Sequence, residues 1–441
     1  MQISDILGLN ARTQLFSYAY NDSYGKSLAS SKVSTKRALK KANVAAPEIY
    51  AKFSDLKHLV NFDWEKLPDA FALKPSQGLG GEGIVIVKKR AKDQNLPSKK
   101  ANNAWITTQK KRVTVDDLKL HVMDILEGAY SMGNVPDVAY IEEYVGRHKA
   151  FRKFSYRGTP DIRVIVFNKV PVMAMLRLPT KESGGRANLH QGAIAVGIDM
   201  ATGITVRAFW HGSYIRYKPE TKRKLHGIKI PQWSRILETA VQAGIATRLG
   251  YFGADVVMHP DKGPMILELN SQPGLSIQLA NASGLRRRLD RVKDLDVKDA
   301  DHGVRISKIL FAERFADRVK AEEGVKILKP VEKVKVYALS NGKSLMVNAR
   351  IDTGAVRSSV DRQLAEDLGL MSEENILWRK KYAYRSAHGK QSRPVIGVTF
   401  KLAGRKIKTS ASVANRSKLL TPLLIGRNDL SGYLIKSEDS E

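Results

Sequence analysis

Apolar and polar positions along the chain fall into helix and strand periods separated by turn residues. Residues 251–275, YFGADVVMHPDKGPMILELNSQPGL, read as two strands joined by a turn over 259–264, the second strand spanning 265–270. Successive side chains of a strand face opposite ways, so Leu267 and Leu269 turn into a core while Glu268 and Asn270 share the other face. Asp255 sits on the partner strand, where it can join them. Residues 70–89, AFALKPSQGLGGEGIVIVKK, form a strand, a glycine-rich loop and a second strand, because the run IVIV is β-branched. Helical periods appear in a capped helix over 34–42 and a long helix over 233–249. A further helix over 115–130 has apolar residues at 118, 122, 125, 126 and 129 behind an acidic start at Asp116-Asp117. Another helix falls near 305–322. KDQNLPSKKANN (92–103) is a polar hairpin loop and GVKILKPVE (324–332) a short linker. Beyond the linker, VNARIDTGAVRSSV (347–360) is a strand followed by Asp352-Thr353-Gly354-Ala355, and RSAHGKQSRPVIGVTF (385–400) is a hairpin and strand.

Composition narrows the class. A chain of 441 residues with 43% hydrophobic content holds about two to four globular domains. No apolar run reaches membrane-spanning length, and MQISDILGLN is no signal peptide, so no membrane partner and a cytoplasmic location are expected. Without cysteine there is neither a disulfide nor a thiolate zinc site. The net charge of +30 is gathered into basic clusters at 88–92, 99–100, 110–112, 147–157, 216–229 and 286–293. Such a field attracts polyanions, whether an acidic peptide or nucleic acid. Solvated lysines of a basic proteome give the same count, and the chain carries no nucleic-acid module that would make such binding specific.

Candidate chemistry starts from Asp255, Glu268 and Asn270. Three hard oxygen donors on adjacent strands suit Mg²⁺, which keeps waters and borrows phosphate oxygens. An ordinary hairpin surface gives the same letters, so the choice rests on what accompanies them. Gly78, Gly80, Gly81 and Gly83 leave backbone amides open to phosphate oxygens, and Lys74 lies on the strand entering that loop. Gly78, Gly80 and Gly83 also satisfy GxGxxG. A dinucleotide fold needs a helix after that loop, which IVIVKK excludes, and a protein kinase needs HRD and DFG sequences that are missing. A glycine-rich hairpin lid remains.

Lys74, the glycine lid, Glu142-Glu143-Tyr144-Val145 and the later D…ExN together resemble the ATP-grasp superfamily, nearest its RimK-like α-L-glutamate ligases. The resembling segments are LGLNAR, SKVSTKRALKKANVAAPE (31–48), ALKPSQGLGGEGI, YIEEYV, GTPDIRVIVF (158–167), MLRLPT, GGRANLHQGA (184–193), GYFGADVV and ILELNSQPGLSIQLAN. They run in order over about residues 7 to 290. Gln272 stands where members of that branch carry arginine, and most of their N-terminal preliminary domain is lacking. The resemblance implies an α+β fold in which two subdomains grip ATP. Residues 1–65 lead in, 66–150 form the lid subdomain, 151–300 the catalytic subdomain, and 301–332 a helix and linker. It gives ATP to Lys32, Lys74, the four glycines, Glu142, Glu143, Tyr144 and Val145, with Glu142 and the 144–145 backbone facing adenine. Two Mg²⁺ ions, for which Mn²⁺ can substitute, fall to Asp255, Glu268 and Asn270. Arg163 and Arg177 would hold an acylphosphate, and Arg186, Asn188 and His190 would line the acceptor side. The implied reaction joins an amino acid such as glutamate to a peptide or protein acceptor, and the charge of the chain suits an acidic one.

Residues 333–441 hold a second chemistry. Asp352-Thr353-Gly354 just past a strand, with LLIGR at 423–427, resembles the retropepsin-like family labelled "ATP-dependent zinc protease". The resemblance implies a small β-barrel with Asp352 catalytic. Activating water takes two carboxylates sharing a proton, so a single Asp-Thr-Gly requires a homodimer through this domain. The zinc of that label has no support, since HExxH and HxxEH are absent and the domain's one histidine is His388. Three functions stand side by side: a ligase that also trims its product, a ligase whose C-terminal domain only binds or dimerises, and a basic nucleotide-binding scaffold for a polyanion.

Overall fold

The structure is a computed structural model that describes residues 6–78, 80–91, 104–311, 326–340, 342–386, 389–431 and 433–435. The hairpin loop expected over 92–103, the later part of the helix near 305–322 and His388 lie outside the described residues. The chain divides into two compact units, one of residues 1–199 with 203–290, the other of residues 200–202 with 291–441.

The first unit contains two sheets. One has six strands in the order β1 (Ile49–Phe53), β6 (Ala139–Glu143), β2 (Phe71–Pro75), β3 (Val85–Arg90), β4 (Ala104–Thr107) and β5 (Arg112–Thr114). Phe71, Leu73, Ala139 and Ile141 turn to one face and join Val87, Trp105, Leu118, Val122 and Ile125 in a buried core. Strand alternation then leaves Ala72, Lys74, Tyr140 and Glu142 on the opposite face. Pairing sets Lys74 beside Tyr140 and Ala72 beside Glu142. Two helices serve this half, α1 (Lys32–Lys41) and α2 (Val115–Leu126). α1 begins two residues before its expected start, because Ser31 caps it by accepting from the Ser34 amide at 3.3 Å. A reciprocal capping box between Thr114 and Asp117 opens α2. α2 stops short of residue 130, where Gly128 adopts φ +88°.

The second sheet has seven strands in the order β11 (Ser213–Ile215), β10 (Thr205–Trp210), β9 (Ile194–Ile198), β8 (Val170–Leu178), β7 (Asp161–Phe167), β12 (Tyr251–His259) and β13 (Gly263–Asn270). The β12–β13 hairpin matches the expected one. Helix α3 (Trp233–Thr247) covers one face with buried Ile236, Leu237, Ala240, Val241 and Gly244.

In the second unit, β15 (Val331–Tyr337), β16 (Ser344–Asp352), β21 (Leu423–Gly426), β17 (Ser358–Asp361), β20 (Arg405–Ala414) and β19 (Gly389–Leu402) follow one another. A pairing of β15 with β19 closes them into a barrel. β18 (Ile376–Ser386) adds a hairpin arm to β19, and β14 (Lys326–Leu328) pairs in parallel with β22 (Tyr433–Ile435). Val334, Val336, Ile351, Val360, Phe400, Leu423 and Ile425 fill the interior. The linker expected over 324–332 is corrected here: residues 326–328 and 331–337 are strands. The alternation in VEKVKVY, with Val334 and Val336 buried, places them in the sheet. Helix α4 (Ala300–Leu310) belongs to this unit. In it His302 Nδ1 accepts from the Lys298 amide at 3.2 Å, so Nε2 donates to the Leu377 carbonyl at 2.6 Å. Among the described residues no helix is long and apolar enough to cross a membrane.

Candidate functional site

The register of the second sheet gathers charge on one face. Asp161 lies opposite Arg177, Arg163 opposite Asp255, and Asp255 opposite Glu268. Arg163 donates from Nε and Nη2 to the two oxygens of Asp255, at 2.7 and 2.6 Å. Arg177 bridges, donating to both oxygens of Asp161 and to Oδ2 of Asp255. Burial alone would raise the Asp255 carboxyl, but the Arg163 and Arg177 guanidiniums outweigh it and hold it at about 2. Asp161 shows the opposite balance. Burial outweighs Arg177, the neighbouring Asp255 charge adds to it, and the carboxyl rises to about 6.

Of the expected metal triad, Asp255 is the buried member, and both its oxygens accept from guanidiniums. Glu268 keeps 41% of its side chain exposed, with Lys32 Nζ 3.9 Å away. The Asn270 carboxamide oxygen accepts from the Gln272 amide at 2.8 Å. Among the described residues no three His, Asp or Glu side chains converge on a metal position. Glu268 and Asn270 still fit Mg²⁺, since both offer hard oxygens on one strand face and Mg²⁺ takes few protein ligands.

On the first sheet, Lys74 donates to Glu142 Oε1, and Lys36 of α1 sets its Nζ 2.7 Å from Oε2 of the same carboxylate. Glu142 is thus engaged by two ammonium groups. Tyr140, on the same face and fully buried, has a hydroxyl with no hydrogen-bond partner among the described residues. Glu143 pairs with Lys262, lies 3.5 Å from His259, and accepts from the Glu48 amide at 3.3 Å. Burial raises the Tyr144 phenol, with Arg147 opposing. The Val145 carbonyl accepts from Thr159 Oγ1 at 2.8 Å while its side chain packs on Val257 and Met265.

The glycine lid is tied at three carbonyls. Lys32 Nζ donates to Gly78 O at 3.0 Å, Asn188 Nδ2 donates to Gly80 O at 3.0 Å, and His121 Nε2 donates to Gly83 O at 2.8 Å. Gly83 adopts φ +67°, and a Cβ there would stand 2.6 Å from the Tyr130 ring. Within 184–193, Asn188 Oδ1 also accepts from the His190 amide at 3.0 Å. Arg186, exposed, lies beside Gly81 and donates to Gln191 Oε1 at 3.5 Å, while the His190 ring is exposed.

In the second unit, Asp352 ends β16 opposite Gly426. Its Oδ1 accepts from the Gly354 and Ala355 amides at 2.9 and 3.0 Å. The Arg427 amide returns to the Ala355 carbonyl at 2.8 Å, which locks this loop to the end of β21.

Lys36, Tyr140 and Asp161 were not anticipated as members of these clusters. For two of them the signal was in the spacing. Lys36 lies one helical turn after Lys32, and Asp161 lies two strand positions before Arg163.

The sequence profile of the family described as sugar-transfer associated ATP-grasp matches residues 11–294, well over half of the chain. A probable alpha-L-glutamate ligase of Marinomonas sp. (strain MWYL1) is 29% identical over 163 residues, 35% of this chain. That match spans 43% of the relative, less than half its length. Among solved structures the chain is similar to D-alanine–D-alanine ligase from Bacillus anthracis complexed with ATP. There the identity is 15% over 69% of this chain and 71% of the other, with a TM-score of 0.35. For L-amino acid ligase from Bacillus licheniformis the identity is 10% over 65% and 49%, with a TM-score of 0.33. For ATP-grasp ligase PsnB complexed with precursor peptide PsnA2 and AMPPNP it is 13% over 62% of each chain, with a TM-score of 0.33.

Proposed function

Because the chain belongs to the sugar-transfer associated ATP-grasp family, we propose that it is an ADP-forming carboxylate–amine ligase of the RimK-like kind, adding an amino acid such as glutamate to a peptide or protein acceptor. The observation that carries this reading is the approach of two charged surfaces within one unit. Lys32 spans from the lid carbonyl of Gly78 to Glu268, and Glu268 sits beside the Arg163–Asp255–Arg177 network.

In this reading ATP lies between the sheets with its phosphates under the glycine loop, near Lys32 and Lys74. Glu268 and Asn270 would hold Mg²⁺, which would supply positive charge to offset that on the phosphates. A substrate carboxylate oxygen attacks the γ-phosphorus, the bond to the bridging oxygen breaks, and ADP leaves. The acylphosphate is then attacked at its carbonyl carbon by an amine. Phosphate departs with the carbon–oxygen bond's electron pair, and the amine's proton goes to solvent or a base. Arg163 and Arg177 each spend Nε and Nη2 on carboxylates, so among the described residues Nη1 of each remains to grip an oxyanion. Asp255 and Asp161 hold these guanidiniums at fixed angles. Asn188 ties the acceptor loop to the lid, so that lid closure and acceptor binding are coupled.

The barrel takes a second reading, a retropepsin-like domain that trims the product as a homodimer. Its support is the Asp352 carboxylate held by two loop amides against the end of β21. With one such aspartate per chain, a second copy supplies the partner carboxyl.

The test is to incubate the full chain with ATP, Mg²⁺ and a panel of amino acids and acidic peptides, reading products by mass spectrometry. A peptide lengthened by one residue with stoichiometric ADP supports the ligase. ATP left intact across the panel, or consumed with no amide formed, contradicts it.

A further inference from the structure

Lys36 lies within the 31–48 segment but was given no part in the site, yet it is among the most buried charges of the described residues. Its side chain is 4% exposed and that of Glu142 is 1% exposed. Its Nζ lies 2.7 Å from Glu142 Oε2 and donates to the Pro47 carbonyl at 3.4 Å. The other oxygen of Glu142 holds Lys74, whose side chain is 11% exposed. Two ammonium groups thus share one carboxylate in a place that water barely reaches.

That count has a consequence for the phosphate-binding lysine. A buried carboxylate with a single counter-ion does not release it, because the charge left behind has neither partner nor solvent. With two, one can leave while the other still neutralises the site. We propose that Lys36 is a positioning residue for nucleotide binding: by staying on Glu142 it frees the Lys74 ammonium to turn to the ATP phosphates. Of the two ammonium groups, Lys36 is the one fixed by a second bond, to Pro47 O, so it stays. Lys74 lies on the strand entering the glycine loop, so it moves. Tyr140 is placed to help, since its buried hydroxyl, which has no hydrogen-bond partner among the described residues, shares the sheet face with Glu142 and Lys74 and lies in the field of the carboxylate. The inference rests on the ATP-binding reading and assigns it a residue which that reading lacks.

The experiment measures ATP affinity by calorimetry on the full chain for wild type, Lys36→Met, Lys36→Arg and Lys36→Met/Glu142→Gln. Lys36→Met leaves Lys74 locked on Glu142 and weakens ATP binding on the order of 10- to 100-fold, as loss of one member of a buried ion pair does. Lys36→Arg keeps the charge and binds ATP within a few-fold of wild type. The double variant removes the carboxylate that traps Lys74 and binds ATP more tightly than Lys36→Met alone, an outcome a merely structural role for Lys36 would not give. Circular dichroism on each variant checks the fold, and if Lys36→Met does not fold, the double variant against Lys36→Arg decides, with the expectation that both bind. Unchanged affinity in Lys36→Met, or a double variant no tighter than the single or unable to bind, would overturn the inference while leaving wild-type ATP binding in place. A wild type that binds no ATP would overturn the functional reading and this inference with it.

Discussion

The residues that decide chemistry here are those whose charge is fixed by burial or contact. Glu268 is the carboxylate left available on the β13 face, since Asp255 is taken by Arg163 and Arg177. Glu268→Gln removes the anionic metal ligand and should cut ATP turnover on the order of 10²-fold or more with little change in thermal midpoint. ADP release and a melting curve check both halves. The aspartate pair makes a pH prediction of mixed sign. Asp255, lowered to about 2 from 3.8, contributes stability present above about pH 4 and lost as pH falls towards 2. Asp161, raised to about 6, keeps its proton in the folded chain longer than in the unfolded one, so its contribution is lost as pH rises from about 4 to 6. Asp161→Asn should abolish that second decline, on the order of 3 kcal/mol by linkage, and leave the acid loss below pH 4. Unfolding midpoints of the two proteins between pH 3 and 7 give the difference directly.

At the scale of elements, strand alternation made much of the fold legible. ILELN gave β13 and its outward Glu268 and Asn270, and the β-branched IVIV run gave β3. Three things were not legible. GVKILKPVE reads as a linker, yet its Lys326–Leu328 and Val331-Glu332 lie in strands, the second running on to Val334 and Val336, which are buried where it pairs with β16 and β19. The partner of each arginine depends on register across β7, β8 and β12, which local sequence does not specify. The spacing in KVSTKRALKK puts Lys36 one turn after Lys32, but not its partner, which appears only when β6 brings Glu142 over it. The lid hairpin offers an element-level test. At Gly83 a side chain meets both a positive φ and the Tyr130 ring, so Gly83→Ala should cost about 1–3 kcal/mol locally and raise the KM for ATP. An unchanged KM would show that the loop does not close on nucleotide.

For the whole molecule, ligase and barrel fall in separate units, and their chemistries should separate as well. Asp352→Asn should leave ADP formation intact while removing any ATP-independent shortening of the ligated product. Trimming by the wild type should peak below neutral pH, where one carboxyl of a shared pair is protonated. Equal trimming by both proteins would leave the barrel as a binding module. The charge of +30 fits an acidic acceptor. Such an acceptor should bind less tightly as salt rises, by the screening of exposed charge.

The central claim is that the site joins a carboxylate to an amine through phosphoryl transfer from ATP. It is tested most directly with a substrate carboxylate labelled in both oxygens with ¹⁸O, followed by mass analysis of the released phosphate. An acylphosphate route puts one labelled oxygen into each phosphate and yields ADP. Unlabelled phosphate, or AMP with pyrophosphate, would contradict it.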